Sequence, residues 1–502
     1  MLASDGNGLA TTLGSRGALR WRGPLAAALF SLALVFCLFG AVATSRAAAP
    51  DSAAQVSLAR LALLQAEITA SDSAARSYFG SSVAICGETA VIGAPGDDAG
   101  EEEGAGAAYI FVRSGGVWTQ EAKLTVGDPS AGDELGSQVA LSGDTALIGA
   151  WRHATAGNEA AGAAYVFARS GGVWTQEAEL TADVPDSFDW FGAGVALSGD
   201  TALIGAPNRD VAGKVWAGAA YVFARSGGVW TQEAELTADI SADYDNFGTS
   251  VAVYGDTALI AAAVGSAYVF VRSGDVWTQQ QELRAGDGAS VALSGETALI
   301  GDVVERRFAG AVYVFVRSGD VWTRHQKLTA ADGAAEDYFG SSVAIDGDTA
   351  LIGGQSVRTC VFERVTGVWV RRQTLRACNS VALAGDSALL GGERRTVAGK
   401  VNAGAAYVFL LDHVPQTKPT IAGMRPESGK RGAFVAIRGT EFGATRGTGS
   451  VQFGGKTCTA YASWSAGQIR CRVPATAKYG AAQVMVKTLA GKSNAMRFRV
   501  RR

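Results

Sequence analysis

Side chains able to do acid–base chemistry are unevenly supplied in this chain of 502 residues. Only three histidines occur, His153, His325 and His413. None sits in a pattern that would make it a general base beside a serine or cysteine nucleophile. HExxH, GxSxG, a Walker loop and a CxxC pair are all absent. Carboxylates are plentiful, and a pair of them is what a glycosidase or lyase needs, but nothing in their spacing selects a pair. They gather instead with aromatic residues in irregular segments: Asp186, Asp189, Asp243 and Asp245 alongside Trp151, Trp190, Trp216 and Tyr244. Rings next to polar groups suit contact with a sugar or a protein surface. These eight are the candidate ligand-binding residues. Two plainer readings stand beside that one: solvated loop carboxylates, and tryptophans buried by packing. No catalytic residue, cofactor or metal ligand is assigned.

The elements that hold these segments repeat. A phrase of the form Gly-Asp-Thr-Ala-Leu-Ile-Gly recurs seven times, beginning at Gly87, Gly143, Gly199, Gly255, Gly295, Gly347 and Gly385. Each copy follows a Val-Ala pair. In the unit ending at Trp230, "GAGVAL" reads as a strand, Gly199-Asp200 as a tight hairpin turn, "TALIGA" and "GAAYVFARS" as two more strands, and "VWTQEAELTA" as a fourth with period-two alternation. Four antiparallel strands repeated radially make a propeller blade. The tryptophan strand follows six of the seven copies. The segment Leu58–Ala70 precedes the first copy, where a missing fourth strand would belong, and is expected to close the ring by pairing with the end of the seventh unit. A short helix is the alternative for it. In such blades the Gly-Asp and Gly-Gly turns share one face, and the long, acidic, variable loops share the other.

Phe-Gly at Phe79, Phe191, Phe247 and Phe339, the near match Leu135-Gly136, and Gly-Ala-Pro at Gly93–Pro95 and Gly205–Pro207 make this region resemble the FG-GAP repeat family, which includes the propeller of integrin α subunits. The resemblance implies a seven-bladed β-propeller. Many members carry an Asp-x-Asp-x-Asp-Gly calcium loop between the first two strands. Here that place holds a short Gly-Asp turn, and calcium wants six to eight oxygen ligands, so calcium is not carried over.

The overall charge of −3 conceals two opposed regions: residues 417–502 hold 16 Lys+Arg against Glu427 and Glu441, while residues 47–416 are net −20. The basic region carries Pro419, Pro426, Gly429, Gly439, Phe442-Gly443, Phe453-Gly454, Val473-Pro474, Ser493-Asn494 and Phe498, and resembles IPT/TIG domains, which are immunoglobulin-like sandwiches. At the other end, Arg16, Arg20 and Arg22 precede twenty uncharged residues, Pro24–Ala43. That is a secretory signal ending in small residues or an uncleaved anchor; either exports the rest. Cys458 and Cys471 are the candidate disulfide in an oxidising compartment.

The expectation is an all-β protein: residues 1–46 a signal peptide or membrane anchor, 47–413 a seven-bladed FG-GAP propeller, 414–419 a linker, and 420–502 an IPT/TIG sandwich. It is read as a secreted or cell-surface, non-catalytic binding or adhesion protein. Its expected partner is an extracellular protein or glycan, with an anionic polymer or surface at the basic domain. No nucleic-acid partner is expected, and a membrane only if the N-terminal segment is uncleaved. A structural envelope component is the alternative, and a polysaccharide-active enzyme a more distant one.

Overall fold

The computed structural model describes residues 63–263, 266–286, 288–330, 333–355, 358–411, 419–442, 450–465, 467–488 and 491–502. The expected amino-terminal signal or anchor, His413 and most of the expected linker lie outside them. No helix among the described residues is long and apolar enough to cross a membrane.

Up to Leu410 the described chain forms seven four-stranded antiparallel sheets. The third is representative: Gly194–Ser198, Thr201–Ala206, Ala219–Ser226 and Val229–Leu236, each paired with the next. Position within the sheet explains composition. The second strand, "TALIGA", is buried at every residue, as expected for a strand covered on both faces. The fourth alternates, with Trp230 and Leu236 buried and Val229 and Thr231 exposed. Sheets meet along their innermost strands: Ser82 Oγ accepts from Val139 N, Ser250 Oγ from Val291 N and Ser342 Oγ from Val381 N, all at 3.1 Å.

The chain ends meet in one sheet. Leu63–Ile68 pairs antiparallel with Ala405–Leu410, completing a sheet whose other strands are Ser380–Ala384 and Ser387–Gly392. The segment preceding the first repeat is therefore a strand at these residues. Ser380 Oγ also donates to Gly80 O at 3.0 Å, linking this last sheet to the first.

The short turns are polar for a structural reason. In the third sheet Arg225 Nε donates to Asp200 Oδ1 at 2.7 Å, and its guanidinium lies 5.2 Å from the Trp230 ring centre. Arg113, Arg272 and Arg364 repeat the arrangement over Trp118, Trp277 and Trp369, with Glu88, Asp256 and Asp348 as carboxylate partners. The acid of the repeated phrase orients an arginine that covers a tryptophan.

The carboxy-terminal residues form two sheets. One is ordered Thr420–Arg425, Phe434–Thr440, Gln468–Arg472, Tyr461–Trp464; the other is built on Met496–Arg501, Gly480–Thr488 and Ser450–Phe453. Phe442, Phe453 and Phe498 fill the core between them. Asn494 ties the first strand in: its Oδ1 accepts from Ile421 N at 2.7 Å and its Nδ2 donates to Ile421 O at 3.0 Å. Cys458 and Cys471 are buried in this core with their sulfurs 3.4 Å apart. The facing Cys471 thiol and the apolar surroundings both hold the Cys458 thiol well above its ordinary range.

Candidate functional site

The long loops are built on one local device used five times. Two residues before each Phe-Gly (or Leu-Gly) stands a short polar side chain: Ser77, Asp133, Asp189, Asp245 and Asp337. Each accepts the backbone N–H three residues earlier, from Ala74, Ser130, Asp186, Ala242 and Ala334, over 2.5–3.1 Å. The residues on either side adopt positive φ, as with Tyr244 (67°) and Asn246 (50°), or Phe188 (67°) and Trp190 (59°). Side chains other than glycine rarely hold that conformation without support from their surroundings.

The support is a backbone clasp onto the preceding sheet's long loop. Tyr244, Asn246 and Phe247 donate to Val215 O, Trp216 O and Ala217 O; Phe188, Trp190 and Phe191 donate to Glu159 O, Ala160 O and Ala161 O. The same three-bond pattern joins 76–79 to 401–403, 132–135 to 103–105 and 336–339 to 307–309. Loops that would otherwise be mobile are thus fixed to one another. Beneath each clasp the Phe of Phe-Gly is buried, with Phe247 lying 5.5 Å from Tyr268 and 6.0 Å from Phe270 between ring centres.

The expected ligand residues separate on this scaffold. Asp189 and Asp245 each commit an oxygen to loop closure. Asp189 is also buried and accepts from Arg209 Nη1 at 3.0 Å. Burial holds its carboxyl above the usual range, against the pull of the Asp186 amide and Arg209. Trp151 is 8% exposed and serves as packing: its Nε1 donates to Glu134 at 3.0 Å, Arg152 lies over its ring, and Trp190 meets it edge-on at 4.8 Å. Trp190 is half-buried. Asp186 and Asp243 are exposed and cap local amides, of Ser187 and Val215 respectively.

Trp216 and Tyr244 remain, stacked edge-to-face at 5.6 Å across one clasp. Trp216 is half-buried, whereas Tyr244 is 55% exposed. Val215 and Ile240 stand exposed in the same two loops. Phe308 and Tyr338 form a similar pair, 5.5 Å apart, across another clasp. Sequence reasoning missed that second pair, although Tyr338 has the same offset from Phe-Gly as Trp190.

His153 belongs to this face structurally. It is buried, with Nδ1 3.0 Å from Asp133 Oδ2 and Nε2 3.9 Å from Glu179 Oε1, and it packs edge-on against Tyr165. The hydrogen bond to Asp133 leads, with Glu179 and Asp128 adding, and together they raise its pKa above the ordinary 6.5 against the opposing effect of burial. The sign follows from linkage: the stabilisation is complete below about pH 6.5 and fades as pH rises through the raised folded value. The melting-temperature gap between wild type and His153→Gln is therefore expected to be widest at pH 5.5–6 and to narrow by pH 8.5. A gap independent of pH would show that charge has no part in it.

Residues 63–111, 118–167, 174–223, 230–270 and 322–357 match the FG-GAP repeat family, and residues 419–500 match the IPT/TIG domain. The chain is an FG-GAP repeat protein with an IPT/TIG domain. FG-GAP and IPT/TIG domains are typical of extracellular adhesion and binding proteins. The clasped Phe-Gly segments lie within or between the matched FG-GAP repeats. No curated protein matches this FG-GAP protein. Among solved structures it is similar to a fungal alcohol oxidase of the AA5 family in complex with copper, at 11% identity and TM-score 0.46, covering 88% of this chain and 100% of that one. It is also similar to a putative 6-phosphogluconolactonase from Bacteroides uniformis, at 13% identity and TM-score 0.43, covering 59% and 85%. Likenesses this distant say nothing about chemistry.

Proposed function

We propose that this FG-GAP protein is a non-catalytic, extracytoplasmic binding or adhesion protein, and that its loop-rich propeller face holds a protein or glycan ligand. The observation that carries the reading is the Trp216–Tyr244 pair. Its rings are partly open to solvent, while the backbone beneath them is fixed by three hydrogen bonds between adjacent loops. A rigid aromatic anchor costs little entropy on binding. Asp243 and Val215 border it, offering one polar and one apolar contact. Trp151, buried, and Trp190, half-buried, support the neighbouring clasp, and Asp186, Asp189 and Asp245 shape the loops. In an oxidising compartment Cys458 and Cys471 are proposed to join. The non-catalytic reading draws on the two described histidines: His153 is buried between Asp133 and Glu179, and His325 Nε2 contacts Gly367 O at 2.7 Å.

The test is a glycan and extracellular-protein array probed with the wild-type chain and with Trp216→Ala/Tyr244→Ala. The double variant is expected to lose at least about tenfold in affinity for any captured ligand, roughly 1.4 kcal/mol or more, with its melting temperature unchanged. Binding that survives the double substitution would remove these rings from the site. Turnover of an array polysaccharide would overturn the non-catalytic reading.

A further inference from the structure

The IPT/TIG sandwich has an outer face whose charge the propeller reading leaves unused. On the sheet Thr420–Arg425, Phe434–Thr440, Gln468–Arg472, Tyr461–Trp464, cross-strand register places Arg425 opposite Ala436 and Ala436 opposite Arg470, with Phe434 opposite Arg472 and Arg438 opposite Gln468. Partners in register project to the same side. Their neighbours Met424, Ile437, Ile469 and Cys471 are buried, so Arg425, Arg438, Arg470 and Arg472 share the solvent side, and all four are exposed. None of these four strands contains an acid or a lysine.

Phe434 organises the face. The guanidiniums of Arg472 and Arg470 lie 4.6 and 5.1 Å from its ring centre. Stacking a guanidinium on a ring restrains it while leaving its N–H fork free. A restrained fork matches the two oxygens of a carboxylate or sulfate, which a lysine cannot do. The opposite sheet is basic as well, but it mixes lysines with Arg497, Arg499 and Arg501, and no ring contact to these three is described.

We propose that this arginine face binds an acidic polysaccharide, a linear glycan bearing sulfate or carboxylate groups. Charge complementarity selects a polyanion. The surface selects among polyanions. A bilayer would be met by protruding apolar side chains, yet Tyr479 is the one exposed large apolar residue in the described part of this domain. Single-stranded nucleic acid would use an open ring for base stacking, whereas Phe434 is half-buried beneath guanidiniums. A row of arginine forks is left, two of them held against Phe434, suited to acidic groups spaced along a polymer. This site is independent of the Trp216–Tyr244 reading.

The experiment measures retention of the full-length chain on immobilised heparin and polygalacturonate across a salt series. The wild type is expected to bind at least one of the two. Arg470→Gln/Arg472→Gln should weaken binding at least tenfold and reduce the slope of log affinity against log salt by roughly 1.5, as expected on losing two charge contacts. Arg470→Lys/Arg472→Lys keeps the charge and should still lose at least threefold. Arg497→Gln/Arg499→Gln on the opposite sheet should stay within twofold. Melting curves check folding, and Arg438→Gln, on the same face, replaces the double variant should that one unfold. Equal losses from both sheets would mean diffuse charge and overturn the proposal. So would failure of the wild type to bind either glycan, full retention by the lysine variant, or tighter binding to phosphatidylserine vesicles or single-stranded DNA.

Discussion

Gly205→Ala is expected to lower stability by about 3 kcal/mol, the upper part of the usual range for overpacking, whereas Gly353→Ala costs less than about 1 kcal/mol. Both glycines end the same repeated phrase. A Cβ on Gly205 would stand 1.9 Å from the carbonyl oxygen of Gly248 in the next sheet, which is backbone and cannot rotate away. Five such seams exist: Gly93 meets Gly136, Gly149 meets Gly192, Gly205 meets Gly248, Gly301 meets Gly340 and Gly391 meets Gly80. At Gly353 the nearest atoms are 3.3 Å away, Cys378 O and a Val381 methyl, because the sheet it faces has no Phe-Gly. The remaining copy already carries a methyl, Ala261, and it too faces a sheet without Phe-Gly. Thermal unfolding of the two variants side by side is the measurement. Equal shifts would show that the close seam does not dictate glycine.

Phe247→Ala should cost about 3–5 kcal/mol, the range for deleting a fully buried aromatic side chain. Phe247 is 1% exposed and lies among Leu203, Ala220 and Val222 of the preceding sheet and Ala258, Ile260 and Tyr268 of its own. It therefore fills the gap between two sheets and not the interior of one. It also carries the third hydrogen bond of its clasp, to Ala217 O at 2.9 Å, so a collapse around the cavity would disturb the Trp216–Tyr244 loops above. Leu135 occupies the same place at another seam, 1% exposed, so Phe247→Leu is expected to cost less than half as much. Denaturant unfolding of the two variants tests this. A penalty below about 1.5 kcal/mol for the alanine variant would mean that the site relaxes closed.

The scaffold was legible because its rules are local and repeated. Gly-Asp turns, an all-apolar second strand and an alternating fourth strand each have one good reading, and copying them removes the ambiguity that a single apolar run leaves. The strand around Leu63–Ile68 was readable from a missing partner. The loop face was harder, because its residues do two jobs with one chemistry. Asp189 and Asp243 look alike in sequence, yet one is buried against Arg209 and the other is exposed. Trp151 and Trp216 both follow the second strand of their unit, yet Trp151 donates to Glu134 and is buried. Burial in a loop depends on the neighbouring sheet's loop, which no local pattern reports. One signal was available in hindsight: a short polar residue two places before Phe-Gly or Leu-Gly marks each clasp.

Among the described residues, the clasps and the glycine seams are missing from the same two junctions, between the fourth and fifth sheets and between the sixth and seventh. The sheets thus divide into two clasped arcs, one of five sheets and one of two, meeting at a pair of joints bridged by other bonds, such as Val291 N to Ser250 Oγ and Val381 N to Ser342 Oγ. A ligand held near Trp216, as proposed, would load the longer arc, where four consecutive clasped seams would share the force. Flexing between sheets is expected to concentrate at the two unclasped joints, away from the surface that carries the aromatic pair.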